Sequence, residues 1–351
     1  MKILLTTKTL EKGGAEVLIS ILVPKLIDRG CEVHILYYKK SQSELIDKLE
    51  KSGAKVKFSG EYNFSEFISS MYNTYLYIKK FNPDVIFEHS PLISSFNRLI
   101  SWSVPIVYLE HSVFSNYNLV TRYLNYITSP LLAKSIFCSN SVFDSHKRDG
   151  VVINNAIEIS SNLISRRNTI YPGYKIVISV ANVSKVKNHQ MLIRAFEEIS
   201  DDKVKLIIVG APRDNQSYIE SLVLRSKKKE DIILYGQSNN VFELLRQSDV
   251  FCLTSLYEGL PMSLLEAMSL GVVPICTNVG GISDVVSNNC GYVVDVGNVD
   301  DLTRTINSVL SNKIEYDNVS KNARRKILEE YNIENYMDLL MQILNDAANK
   351  R

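Results

Sequence analysis

Short apolar runs and longer segments of helical periodicity alternate along most of this chain. Strands are predicted at Lys2–Thr7, 31–38, Lys55–Phe58, Val85–Glu88, 105–109, 136–139 and 151–154. A helical pattern over 17–28, closed by Gly30, joins the first two, and helical segments of ten residues or more separate several of the others. The rhythm breaks between Glu158 and Tyr174, where Ser160-Ser161-Asn162, Arg166-Arg167-Asn168 and Pro172-Gly173 make a polar, turn-rich stretch suited to a linker. It then restarts. Strands at 176–180, 205–209, 232–235, 250–254, 272–276 and 291–294 are interleaved with helices at 189–199, 219–227 and 241–247. Further helical periodicity covers 319–331 and 334–348. Alternation of this kind predicts an α/β fold with doubly wound parallel sheets. The break makes it two Rossmann-like domains, residues 1–160 and 175–334, with a linker at 161–174 and a terminal helix at 335–351.

Composition narrows the class. A chain of 351 residues is long for a single hydrophobic core, and its 45% hydrophobic and 22% charged content are globular values. Cys31, Cys138, Cys252, Cys276 and Cys290 are odd in number and contain no C-x-x-C pair, so reduced core thiols are expected rather than disulfides or metal ligands. The strand pattern begins at Lys2, leaving no room for a signal peptide, and no apolar run reaches the roughly 20 residues of a membrane helix. A cytoplasmic location is the expectation. Residues 1–170 hold 20 Lys+Arg against 15 Asp+Glu, and the remainder 20 against 23. That imbalance is small enough for solvated lysines, although it would also suit an anionic membrane surface on the first half; it is too weak to suggest nucleic acid. Residues 62–126 are rich in Tyr and Phe, with Trp102, Lys79, Lys80, Arg98 and Arg122 nearby. Two readings fit, an amphipathic membrane interface and an aromatic core, and ordinary residue preferences favour the core.

Candidate chemistry concentrates in Tyr257-Glu258-Gly259-Leu260-Pro261-Met262-Ser263-Leu264-Leu265-Glu266-Ala267-Met268. Pro261 suits the first position of a helix and Gly271 the left-handed residue that closes it. Glu258 then lies on the incoming loop and Glu266 inside the helix. The free backbone N–H groups of Met262, Ser263 and Leu264 make an anion site between them. Two hydroxyl-binding carboxylates around a phosphate-binding helix end suit a sugar diphosphate. Upstream, Lys185 and Lys187 follow a strand and precede a helix, where they can meet a diphosphate as point charges. Gly13-Gly14 would let a phosphate approach a helix N-terminus, though G-x-G-x-x-G is absent. His89 and His111 each follow a strand and a glutamate, at the strand ends where ligands of open sheets bind, and His111 is preferred because a loop follows it. The sequence contains no D-x-D metal signature.

These residues carry a resemblance to the family 4 retaining glycosyltransferases of GT-B fold. The matching text is Ser248 to Ser255, Glu258-Gly259-Leu260-Pro261 with Glu266-Ala267-Met268, Gly271, Pro274, Val279-Gly280-Gly281 and Gly291-Tyr292. Glu258 and Glu266 take the spacing of that family's E-x7-E motif. In the first half the likeness is thinner, resting on Gly13 to Glu16, His111 and Val152 to Ile157. The resemblance implies two domains facing across a cleft, the final helix crossing back to the first. It implies a nucleotide-sugar donor, a UDP-sugar by family prevalence with GDP-mannose as the alternative. Glu266 would hold the ribose hydroxyls, Glu258 the sugar hydroxyls beside Gly259 to Met262, and Lys187 the diphosphate with the Ser263 and Leu264 N–H groups. Gly14 would help close the site, and His111 would lie near the transferring sugar. No metal or other cofactor is implied. The family's usual Arg is Asn182 here, with Lys185 a candidate replacement, and the usual Gly of the N-G turn is Ala156. The implied reaction is transfer with retention; the basic first domain and cytosolic placement suit a lipid-linked oligosaccharide acceptor at the inner membrane face, as in polysaccharide assembly, with soluble glycan, protein and small-molecule acceptors open. A sugar-nucleotide epimerase of the same fold and a non-catalytic sugar-nucleotide-binding subunit are the rival readings.

Overall fold

Parallel neighbouring strands cannot be joined by tight turns, so each pairing demands a crossover, and in this chain helices supply most of them. The computed structural model describes residues 1–11, 13–40, 43–61, 66–158, 170–287 and 289–350. They form two units, Met1–Ala156 with Ile333–Arg351, and Ile157–Asn332. The first unit is built on β1 (Lys2–Thr7), β2 (Glu32–Tyr37), β3 (Lys55–Phe58), β4 (Val85–Glu88), β5 (Ile106–Glu110), β6 (Lys134–Phe137) and β7 (Val151–Val152). They run parallel in the order β3-β2-β1-β4-β5-β6-β7. Between them lie α1 (Gly14–Asp28), α2 (Glu44–Lys51), α3 (Phe67–Phe81), α4 (Pro91–Ile100), α5 (Leu119–Thr128) and α6 (Asn140–His146). All residues of β4 and β5 are buried, as continuous apolar strands covered on both faces should be.

The second unit repeats the plan. Its strands β8 (Lys175–Val180), β9 (Val204–Val209), β10 (Ile232–Gly236), β11 (Val250–Leu253), β12 (Val273–Thr277) and β13 (Tyr292–Val294) run parallel as β10-β9-β8-β11-β12-β13. The helices are α7 (His189–Glu197), α8 (Gln216–Arg225), α9 (Val241–Arg246), α10 (Met262–Ser269), α11 (Ile282–Val285), α12 (Val299–Ser311) and α13 (Lys313–Glu330). Val177, Leu206, Val250 and Ile275 from the sheet pack with Leu192 and Phe196 of α7 and Ile306 of α12. The last helix, α14 (Ile333–Ala348), belongs to the first unit, where it touches α1, β4 and β5. In each sheet the strand order reverses beside the strand that opens the unit, between β1 and β4 and between β8 and β11. Such switch points are where open α/β sheets bind ligands.

The α/β alternation read from the sequence therefore holds, with strand ends displaced by one or two residues. Helix α12, which the pattern reading passed over, is capped by the Asn298 side chain accepting from Asp301 N–H at 3.1 Å. Helix α10 begins at Met262, so Pro261 is the extended residue before the helix (φ −70°, ψ 127°) and not its first member. The five cysteines are buried and form no disulfide among the described residues. Much of the aromatic content around residues 68–131 is not core: Tyr72, Trp102, Tyr123 and Tyr126 are exposed. The central part of the expected linker, residues 161–169, and Lys12 of the first glycine turn lie outside the described residues.

Candidate functional site

In the second unit the loops after β8 and β11 meet at the switch point. The β8 loop is pressed against the end of β9, where a Cβ on Gly210 would lie 2.0 Å from the Ala181 carbonyl oxygen. Asn182 Oδ1 accepts from Ala211 N–H at 3.1 Å, so the side chain at the expected arginine position is spent on tying these loops together. Lys185–Lys187 then form a single helical turn ending in a left-handed Asn188 (φ 48°). The β11 loop is laced to it: Leu256 N–H donates to Val186 O at 2.8 Å, and Thr254 Oγ1 to the Lys187 and Asn188 carbonyls at 3.2 and 3.0 Å. This lacing brings Lys187 Nζ to 2.5 Å from Glu258 Oε1, across 71 positions of sequence. Ser255 Oγ donates to the same oxygen at 2.6 Å, while Glu258 Oε2 makes no hydrogen bond among the described residues. One carboxylate oxygen is thus held and the other is open.

The Glu258–Gly259 backbone is backed by the second glycine turn. Gly281 N–H donates to Gly259 O at 2.8 Å, and Gly280 (φ +59°) comes so close that a Cβ there would stand 2.1 Å from Glu258 O. Leu260, Met262 and Leu264 bury their side chains, which leaves mainly backbone of this segment for a ligand. No side chain caps α10, and the helix supplies no acceptor to the N–H groups of Met262, Ser263 and Leu264. Glu266, the fifth helical residue, is half-buried, its carboxylate makes no hydrogen bond among the described residues, and burial pushes its pKa up to about 7. A desolvated carboxylate without donors has its acceptor capacity unused and is costly to ionise. Lys185 is exposed and its ammonium makes no hydrogen bond or ion pair among the described residues; its backbone N–H donates to Asp214 Oδ1 at 3.3 Å and its carbonyl accepts from Asn188 N–H at 3.2 Å.

The remaining candidates lie in the first unit. Gly14 is the exposed first residue of α1, behind an extended Gly13 whose Cβ would meet Glu16 Oε2 at 2.5 Å. His111 follows β5, and its Nε2 lies 3.1 Å from Nδ1 of His89, which follows β4, with the two rings stacked. Burial lowers the His111 pKa to about 4 and holds His89 well below the ordinary imidazole value, so the pair shares one neutral N–H···N bond near pH 7. Behind them the buried Glu110 carboxylate accepts from Tyr108 OH at 2.9 Å, Arg148 Nη2 at 3.1 Å and Tyr117 OH. His146 Nε2 is 2.9 Å from Ser112 O and fixes the loop that carries His111. Thr254 and Ser255 stand in the stretch that carries the family resemblance, without a role of their own there; neither Arg148 nor His146 is singled out from sequence. Only Ser255 left a local signal there, three positions before Glu258.

Two family models match, "Glycosyltransferase Family 4" over residues 12–162 and "Glycosyl transferases group 1" over 160–326. N-acetyl-alpha-D-glucosaminyl L-malate synthase of Bacillus anthracis is 33% identical over 183 residues, which are 50% of this chain and 47% of that protein. The UDP-Gal:alpha-D-GlcNAc-diphosphoundecaprenol alpha-1,3-galactosyltransferase of Escherichia coli is 33% identical over 121 residues, 34% of this chain and 31% of that protein. The chain thus spans less than half the length of these two relatives. Anabaena Alr3699/HepE, solved in complex with UDP-glucose, superposes with a TM-score of 0.87 over 99% of this chain and 100% of its own, at 17% identity, a likeness of fold alone. With two parallel Rossmann-like units and the two models together spanning residues 12–326, the chain belongs to the glycosyltransferases, a family 4 domain being followed by a group 1 domain.

Proposed function

We propose that the chain is a retaining glycosyltransferase that moves a hexose or N-acetylhexosamine from a UDP-linked donor to a glycan acceptor. The acceptor is carried on a lipid, as in the name of the Escherichia coli relative, and the enzyme works from the cytoplasm in assembly of a surface polysaccharide. The observation that carries the reading is the Lys187–Glu258–Ser255 cluster at the β8/β11 switch point, beside the uncapped end of α10. Donor diphosphate takes the Lys187 ammonium and the α10 N–H groups, Glu258 Oε2 accepts from sugar hydroxyls, and Glu266 accepts from the ribose. As the bond between the anomeric carbon and the phosphate oxygen breaks, negative charge gathers on that oxygen, where lysine and helix end stabilise it. The same oxygen takes the acceptor hydroxyl's proton while the acceptor oxygen bonds the anomeric carbon on the face the phosphate leaves. His111, held neutral, hydrogen-bonds near the transferring sugar. Lys185 supplies the cation missing at Asn182. None of these steps calls on a metal.

The test is a screen of UDP- and GDP-sugars against lipid-diphosphate-linked and soluble glycan acceptors, with the product anomer read by NMR. A product retaining the donor's anomeric configuration, formed equally well in chelator, is expected. An inverted product or a chelator-dependent rate would overturn the mechanism. Conversion of the nucleotide sugar without an acceptor would mark an epimerase instead. Lys187→Ala is expected to lower kcat/KM by about 10²–10³-fold, the scale for removing one such stabilising donor. Lys185→Ala is expected to raise the donor KM; an unchanged value would leave the Asn182 position without a substitute.

A further inference from the structure

Helices α3, α4 and α5 of the first unit turn many polar side chains inward, beside Ile78 and Phe81 of α3 and Ile93 of α4, which reach the core. Helix α5 turns Thr121, Asn125 and Thr128 inward and Leu119, Tyr123 and Tyr126 outward. Helix α3 buries Ser70 and Thr74 over two of its turns and exposes Tyr72 and Leu76. Helix α4 buries Ser94 and Arg98, and the turn after it carries Trp102, 89% exposed. The inward polar groups are well used. Arg98 donates to Asn125 Oδ1 at 2.9 Å, Thr128 Oγ1 at 3.0 Å and Ser94 Oγ at 2.8 Å, and Thr74 Oγ1 bonds Ser59 and Tyr38. Polar groups paired inside and apolar groups outside is the arrangement for an apolar solvent. Scattered exposed hydrophobics are ordinary, but α4 packs against both α3 and α5, and these neighbouring helices together expose Tyr72, Leu76, Leu99, Leu119, Tyr123 and Tyr126.

We propose that this outer face docks on an anionic lipid bilayer. Its chemistry selects that occupant. Trp and Tyr with flanking aliphatics are the side chains that settle at a headgroup boundary. None of the three helices contains an Asp or Glu, whereas Lys79 and Lys80 of α3 are exposed and Arg122 of α5, partly buried, donates to Ser115 O. Lys79 shares the helical stripe of Tyr72 and Leu76, with its ammonium 5.7 Å over the Tyr75 ring. A protein partner would call for acidic counterparts to such residues as well as apolar contact; a bilayer bearing phosphatidylglycerol supplies negative charge and apolar depth together. No helix among the described residues is long and apolar enough to cross a membrane, so the contact is interfacial. The inference rests for its purpose on the lipid-linked acceptor proposed above, and for its physics on the helices alone.

Trp102 is the only tryptophan of the chain, which makes the full-length protein its own reporter. The protein is floated with vesicles of phosphatidylglycerol and phosphatidylethanolamine, or of phosphatidylcholine alone, while its emission is recorded with and without brominated lipid. Binding to the anionic vesicles, weakened by salt, with a blue shift and bromine quenching of Trp102, is expected. Lys79→Ala with Lys80→Ala should weaken partitioning about thirty-fold, from two surface cations lost. Leu119→Ser with Tyr126→Ser, both at exposed positions, should abolish the blue shift while nucleotide binding, read by calorimetry with UDP, persists. Failure to float, or an unshifted Trp102 in bound protein, would overturn the proposal. So would an emission shift that follows protein concentration without lipid, which would assign the face to a second copy of the chain. Binding of the protein to vesicles with no sugar transfer to any acceptor would sink the transferase reading and leave this one standing.

Discussion

Glu266 is paid for in stability. Its carboxyl sits at about 7 in the fold against an ordinary 4.5, because burial is not offset by donors. Between those values the fold binds a proton that the unfolded chain has released, so stability falls as pH rises from 4.5 to 7. Above that range the ionised group costs roughly 1–3 kcal/mol. His189 runs the other way: buried with neither ring nitrogen bonded among the described residues, its pKa falls from 6.5 to about 4, and stability is lost as pH drops through that interval. The two slopes oppose each other between 4.5 and 6.5. Glu266→Gln is therefore expected to raise the unfolding midpoint at pH 8 and to expose the acid slope of His189, as thermal unfolding across pH would record. UDP should bind the parent more tightly as pH rises through about 7, where the carboxylate becomes an acceptor for hydroxyls, and Glu266→Gln should flatten that dependence in calorimetry. A variant no more stable than the parent at pH 8 would refute the desolvation argument.

At the scale of the element, the candidate site is the Glu258–Gly259 loop before α10, backed by the Gly280–Gly281 turn. Gly280 matters here for two reasons, its left-handed φ of +59° and the absence of a Cβ where Glu258 O passes 2.1 Å from the would-be atom. The conformational cost of alanine alone is about 1–2 kcal/mol, and the collision with backbone cannot be relieved by a rotamer. Gly280→Ala should lower the unfolding midpoint and weaken donor binding together. Gly297, at φ +85° with open space around it, is the control: Gly297→Ala should carry only the conformational cost and leave donor affinity intact. Equal effects of the two substitutions on donor binding would show that the turn at Gly280 does not position Glu258.

For the molecule as a whole, the first unit is completed by the end of the chain. Helix α14 buries Ile333, Tyr336, Met337, Leu340 and Leu344. At roughly 1.5–3 kcal/mol for each large apolar side chain the burial amounts to on the order of 10 kcal/mol, comparable to the whole stability of a domain. The exposed pairs of Glu334 with Lys25 and Arg29, each at 2.7 Å, add little by comparison. A chain ending at residue 332 should lose the cooperative unfolding of the first unit while the second unit unfolds as before, a difference visible by hydrogen exchange. Protection of β4 and β5 in the truncated protein would contradict this.

What can be read along the chain is what lies within a few residues. Glu258 and Glu266 flank one helix start, Gly271 closes that helix, and the apolar rhythm makes parallel sheets necessary, because contiguous periodicity and turn chemistry decide local structure. Lys187 against Glu258, His89 against His111, and Arg148 on Glu110 are juxtapositions across strands, set by sheet order, and no spacing along the chain encodes them. The helices α3 to α5 make the same point about faces. A period of 3.6 residues shows that a helix has two unlike sides, but it is symmetric to exchanging them. Only the polar groups waiting at the interior, Tyr38, Ser59 and the network of Arg98, decide that the serines and threonines turn inward and the tyrosines outward.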